Sequence, residues 1–180
     1  GHIVVLCEDG SLPQPLRAAA CEALGAREAG NAAVLRALGR HASFLEDTTA
    51  PPVGALGTAA VRMNERGAVP LLVSHLADPD TSLADIQQLA AALASLADRG
   101  AVEPLRAYLW LYHADGDEAP LAGALGGVAR ALIALDGPPG REAVQEVIDA
   151  PFTSASARAA MTEALQAPRA AAGEQPALAD

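Results

Sequence analysis

Three short segments of the chain recur, and recurrences that agree on one period point to a row of similar units. Arg17-Ala18-Ala19-Ala20-Cys21-Glu22-Ala23-Leu24 returns as Arg158-Ala159-Ala160-Met161-Thr162-Glu163-Ala164-Leu165, with six of eight residues identical. Ala50-Pro51, followed by Gly54-Ala55-Leu56-Gly57, returns as Ala119-Pro120, followed by Gly123-Ala124-Leu125-Gly126. Arg66-Gly67-Ala68-Val69 returns as Arg99-Gly100-Ala101-Val102. The three separations of 141, 69 and 33 residues fit four, two and one copies of a unit of roughly 33 to 42 residues.

Each unit reads as two helices. First helices are predicted over 31–45, 68–76, 101–113 and 141–148, and second helices over 16–25, 52–64, 83–96, 120–135 and 156–165. Between them lie acidic turns such as Asp78-Pro79-Asp80-Thr81-Ser82, whose Asp, Ser and Thr can cap the next helix. Ile86, Leu89, Leu93 and Leu96 recur at helical spacing. Composition agrees. Of 180 residues 51% are hydrophobic and only 3% aromatic, the excess being the helix formers Ala and Leu. A β-protein would draw on Val, Ile, Thr and aromatics instead. The expected class is all-α, with about four to five helical hairpins over residues 2–166 and a disordered tail over 167–180. The first unit starts mid-helix at Ile3-Val4-Val5-Leu6 behind Gly1-His2, which looks like a cloning scar. The expectation is a fragment of a longer protein.

The turn Leu76-Ala77-Asp78-Pro79-Asp80 and the helix Leu16-Arg17-Ala18-Ala19-Ala20-Cys21-Glu22-Ala23-Leu24-Gly25 resemble the HEAT repeat, in its bacterial short form. The resemblance covers residues 2 to 166 and implies a right-handed α-solenoid of antiparallel hairpins. The family places an Asp in the inter-helix turn and an Arg early in the second helix; Asp9 with Arg17, and Asp149 with Arg158, match. The unit from Gly67 has Ile86-Gln87 in place of the Arg, and the unit from Gly100 has Ala122-Gly123. The family also implies that second helices line a concave, partner-binding face. That makes Arg62, Gln87, Gln88, Arg130 and Arg158 candidate contacts, against the plainer reading of a solvated polar stripe.

Tyr108, Trp110 and Tyr112 hold three of the five aromatics. In a helix the two tyrosines share a face and Trp110 points away, so the three cannot all serve one core. An exposed Trp is a favoured interface anchor; packing between neighbouring helices is the competing account. Gly54, Gly57, Gly123, Gly126 and Gly127 lie inside second helices at about 1 kcal/mol each relative to Ala, and close helix–helix approach is the favoured reason.

Other chemistry finds little support. The formal net charge is −10, which disfavours a nucleic-acid or anionic-membrane partner. His113, Asp115 and Asp117 hold metal-ligand types, but Asp-Gly-Asp is ordinary turn chemistry, so no metal or cofactor is assigned. His41 and His75 sit near helix ends, where a cation favours the dipole. No nucleophile elbow, phosphate loop or His-Glu-x-x-His occurs, and no catalytic residue is assigned. Cys7 and Cys21 read as two small buried residues, with a disulfide expected only in an oxidising compartment. No run approaches the ~20 uninterrupted apolar residues of a membrane span, so no membrane insertion is expected. The cytoplasm is slightly favoured, with the compartment otherwise unassigned. The resulting expectation is a non-catalytic scaffold that binds a protein. An enzyme on the same fold, such as a phycobilin-lyase-like protein or a DNA glycosylase, is the alternative, with a purely structural module as the third.

Overall fold

The computed structural model describes residues 2–26, 30–43, 49–115 and 118–167. Among them are ten α-helices and no strand. They are α1 (His2–Glu8), α2 (Gln14–Leu24), α3 (Asn31–Leu38), α4 (Val53–Arg62), α5 (Val69–Leu76), α6 (Leu83–Leu96), α7 (Val102–Tyr112), α8 (Ala119–Asp136), α9 (Pro138–Asp149) and α10 (Ala155–Gln166). The expected tail lies outside the described residues except for Ala167.

The recurring Arg-Gly-Ala-Val has a local cause. In each copy a 3-10 turn, Arg66–Ala68 or Arg99–Ala101, leads into a helix. The carboxylate before it accepts from the glycine N–H, Glu65 from Gly67 at 3.0 Å and Asp98 from Gly100 at 2.8 Å. The alanine and valine then face the core: Ala68, Val69, Ala101 and Val102 are all buried. Ser82 and Ser154 cap α6 and α10, their hydroxyls accepting from the N–H groups of Asp85 and Ala157.

Even-numbered helices pack in succession, α2 on α4, α4 on α6, α6 on α8 and α8 on α10. Each odd-numbered helix packs on the even-numbered one that follows it. The core is a ladder of fully buried leucines, among them Leu56, Leu72, Leu89, Leu93, Leu125 and Leu132, each stabilising the fold by about 1.5–3 kcal/mol relative to exposure. Small residues set the spacing between even helices. A Cβ on Gly57 would stand 3.0 Å from the Ala92 Cβ, and one on Gly126 would stand 3.2 Å from the Ala160 carbonyl oxygen. Close approach is thus what these two glycines permit.

Two boundaries differ from expectation by more than two residues. Helix α3 stops at Leu38, where the Gly39 N–H turns back to the Leu35 carbonyl; residues 44–48 lie outside the described set. Helix α9 starts earlier than expected because Gly137 takes φ 63°, a left-handed turn that suits glycine, and prolines fill the first turn. Helix α8 runs 18 residues and is long and apolar enough by composition to cross a membrane, although half of it is buried inside the protein.

Cys7 and Cys21 are joined by a disulfide, with Cα atoms 4.7 Å apart. The bond fastens α1 to α2 and corrects the reading of two separate thiols.

Candidate functional site

The aromatic segment of α7 divides as the helical period requires. Tyr108 is 6% exposed and sits against Tyr112, with ring centroids 4.6 Å apart. Burial, with Tyr112 adding to it, pushes its phenol up to about 12. Trp110 is 43% exposed and meets the His113 ring edge-on at 5.4 Å. Leu111, next to it, is 66% exposed. His113 carries the turn between α9 and α10: its carbonyl accepts from the Ser154 N–H at 3.0 Å and its Nδ1 lies 3.1 Å from the Thr153 hydroxyl. That turn presents Phe152, 79% exposed. Trp110 and Leu111 on α7, and Phe152 in the turn that His113 holds, are thus exposed apolar side chains at one end of α7. Phe152 and Leu111 escaped the sequence reading: Phe152 lies in a turn, where no period marks a face, and Leu111 is one leucine among many. His113 is engaged with the turn rather than with Asp115, and Asp117 lies outside the described residues.

The polar candidates separate into two groups. Gln87, Gln88 and Arg130 come together in a shallow groove of about 500 Å³ between α6 and α8, floored by Ala91, Gly127 and Ala131. Gln87 leans across Gly123 of α8, and Gln88 leans across Gly54 of α4; a Cβ on either glycine would meet the amide at 2.6 or 2.3 Å. Small residues on α4 and α8 therefore make room for the two glutamines of α6. The other two lie outside this groove. Arg62 pairs with Glu22 of α2 at 2.6 Å. Arg158 bonds the carbonyls of Ile148 and Thr153, tying down the turn before α10.

The expected Asp–Arg pairing is replaced by something else. No ion pair joins Asp149 to Arg158 or Asp9 to Arg17 among the described residues. Asp9 instead accepts from the Ser11 N–H and hydroxyl, which holds its carboxyl below the usual range. Arg17 is 5% exposed and donates to the Thr49 hydroxyl at 2.9 Å and the Ala50 carbonyl at 3.3 Å. Burial lowers its pKa, with Asp9 opposing. Both arginines fasten turns through carbonyl oxygens. Arg17 also borders a cleft of about 750 Å³ at this end, together with Glu8, Arg40, His41 and Thr49. Arg40 is paired there with Glu8 at 3.1 Å.

No family model, curated protein or solved structure matches the chain.

Proposed function

We propose that the chain is a HEAT-like α-solenoid that serves as a non-catalytic scaffold and holds a protein partner through the apolar end of α7. The successive packing of α2, α4, α6, α8 and α10, each paired with the helix before it, supports the solenoid reading. The observation that carries the binding reading is the exposure of Trp110, Leu111 and Phe152, three large apolar side chains left at least 43% exposed on α7 and on the turn bonded to its end. Large apolar side chains gathered at one place on a surface favour a covering partner, and Trp is the residue most often found at the energetic centre of an interface. The groove at Gln87, Gln88 and Arg130 offers amides and one cation, suited to a polar rim of the same kind of partner. The disulfide of α1 and α2 favours an oxidising compartment over the cytoplasm.

The test compares the wild-type chain with a Trp110→Ala, Phe152→Ser variant and with Arg130→Ala. All three are checked for helicity and used as bait in crosslinking capture from the source lysate. A partner held by the wild type and lost by the aromatic variant supports the reading. A partner held equally by all three removes the α7 end from the site. Capture of nothing by the wild type defeats the scaffold reading.

A further inference from the structure

We propose that His41, His75 and Asp78 form a binding site for one divalent transition-metal ion of the zinc class. One ligating atom from each of the three lies within 4.8 Å of the other two. They come from two successive units. His41 lies just past the end of α3, His75 lies in the last turn of α5, and Asp78 lies in the turn leading to α6.

Each residue is oriented through the atom it does not offer. His75 is 1% exposed, and its Nε2 lies 2.8 Å from the Leu38 carbonyl. A carbonyl can only accept, so Nε2 carries the proton. In the neutral ring Nδ1 then presents its lone pair, facing Asp78 Oδ2 at 4.0 Å. The Asp80 N–H holds Asp78 Oδ1 at 2.9 Å, which leaves Oδ2 turned toward both histidines. The Ser74 hydroxyl donates to the Leu71 carbonyl and faces His41 Nε2 at 3.4 Å, while His41 Nδ1 lies 2.6 Å from Asp78 Oδ2. Hydrogen bonds of this kind, from the outer atom of a ligand to a carbonyl or amide, fix ligand tautomer and direction at metal sites.

Around an ion about 2.0–2.2 Å from each donor, tetrahedral donors stand roughly 3.3–3.6 Å apart. The 4.0 Å between His75 and Asp78 must close slightly, and the 2.6 Å between His41 and Asp78 must open. His41 is 41% exposed by side chain, and rotation of its ring would supply the change and bring the two histidine nitrogens, now within 4.8 Å, closer. His41 lines the cleft beside Arg40. Two imidazole nitrogens with one carboxylate suit zinc and its neighbours over the oxygen-seeking magnesium and calcium. A bound ion would clamp the end of α3 to the turn between α5 and α6.

The plainer account is a His41–Asp78 hydrogen bond beside two stacked histidine rings, 4.2 Å apart. Calorimetry separates the two, with zinc chloride titrated into the metal-stripped, tag-free full chain and into His41→Ala, Asp78→Asn and the control His2→Ala, an exposed histidine. Loss of an outer-shell partner alone weakens metal binding by about 10–100-fold. Loss of a ligand should therefore weaken it by about 100-fold or more. The expected result is one ion per chain, matching affinity in the control, and that loss in both ligand variants. Zinc should also raise the melting temperature of the wild type and leave that of His41→Ala unmoved. Absence of both heat and thermal shift overturns the site. So do variants that bind like the wild type, half an ion per chain, or magnesium binding as tightly as zinc.

Discussion

Tyr108 and Trp110 stand two residues apart on one helix and meet opposite surroundings, because two helical steps turn a side chain to the far face. The spacing made that division legible: Tyr108 pairs with Tyr112 against the core, and Trp110 faces outward. Which face the protein would fill was not legible, since that depends on α8 and α9 behind it. The buried phenol carries a testable consequence. Its ordinary pKa is 10.0 and in the fold it is about 12. Below 10 both folded and unfolded chains keep the proton, and the contribution of Tyr108 to stability is fully present. As pH rises from 10 toward 12 the unfolded chain releases the proton first, so stability is lost across that window. Tyr108→Phe should remove this part of the alkaline loss. Urea midpoints of the two proteins should therefore approach one another, or cross in favour of the variant, between about pH 9 and pH 11.5. A constant gap would mean that the phenol ionises as readily in the fold as out of it. The histidines near helix ends teach a different lesson. Their positions suggested a role at the ends of their own helices, yet His75 reaches to the Leu38 carbonyl of α3. Its 34-residue distance from His41, close to the 33-residue offset of the Arg-Gly-Ala-Val copies, was the available signal that the two meet.

At the scale of elements, the caps decided how well boundaries could be read. Helix α6 occupies the expected 83–96 because Ser82 caps it and its leucines keep period to the end. Helix α3 ends at Leu38, short of the expected 45, with Gly39 closing it, and α9 begins at Pro138, ahead of the expected 141, with two prolines in its first turn. A subtler terminus recurs with the repeat. Asn64 after α4 has φ 50° and Ala97 after α6 has φ 53°, both left-handed and 33 residues apart, the same offset as the Arg-Gly-Ala-Val copies. Asn tolerates that conformation, while in Ala its Cβ costs roughly 1–2 kcal/mol. Ala97 is exposed and closes α6 with its N–H on the Ala94 carbonyl. Ala97→Gly should therefore raise stability by about 1 kcal/mol, or about 2–4 °C in melting temperature for a chain of this size. Ala91→Gly, on the exposed face of the same helix, should lower it by about 1 kcal/mol. Opposite signs for one chemical change would locate the strain at the terminus. Equal signs would refute it.

Across the whole molecule, contacts run mainly between helices that are neighbours in the row, so each end is held from one side only. Helix α1 is the extreme case. It packs on α2 and α3 alone among the larger helix contacts, and Cys7 is its single buried residue. Ile3 and Val4 are partly buried, while Val5, Leu6 and the neighbouring Leu16 of α2 remain exposed. Apolar burial thus contributes little to holding α1, and the bond to Cys21 must contribute much. Closing a loop across a separation of 14 residues restricts the unfolded chain by about 3 kcal/mol. The arginines paired with Glu8, Arg36 and Arg40, are half exposed, and these ion pairs offset little of its loss. Reduction should therefore open one end of the row and leave the rest closed. Hydrogen exchange in reductant should show residues 2–8 losing protection, with α2 loosened and α6 to α10 unchanged. Global unfolding at one reductant concentration would show the row to be a single cooperative unit. Undiminished protection of α1 would show that packing on α2 and α3 suffices without the bond, and that the Ile3 and Val4 contacts are worth more than their partial burial suggests.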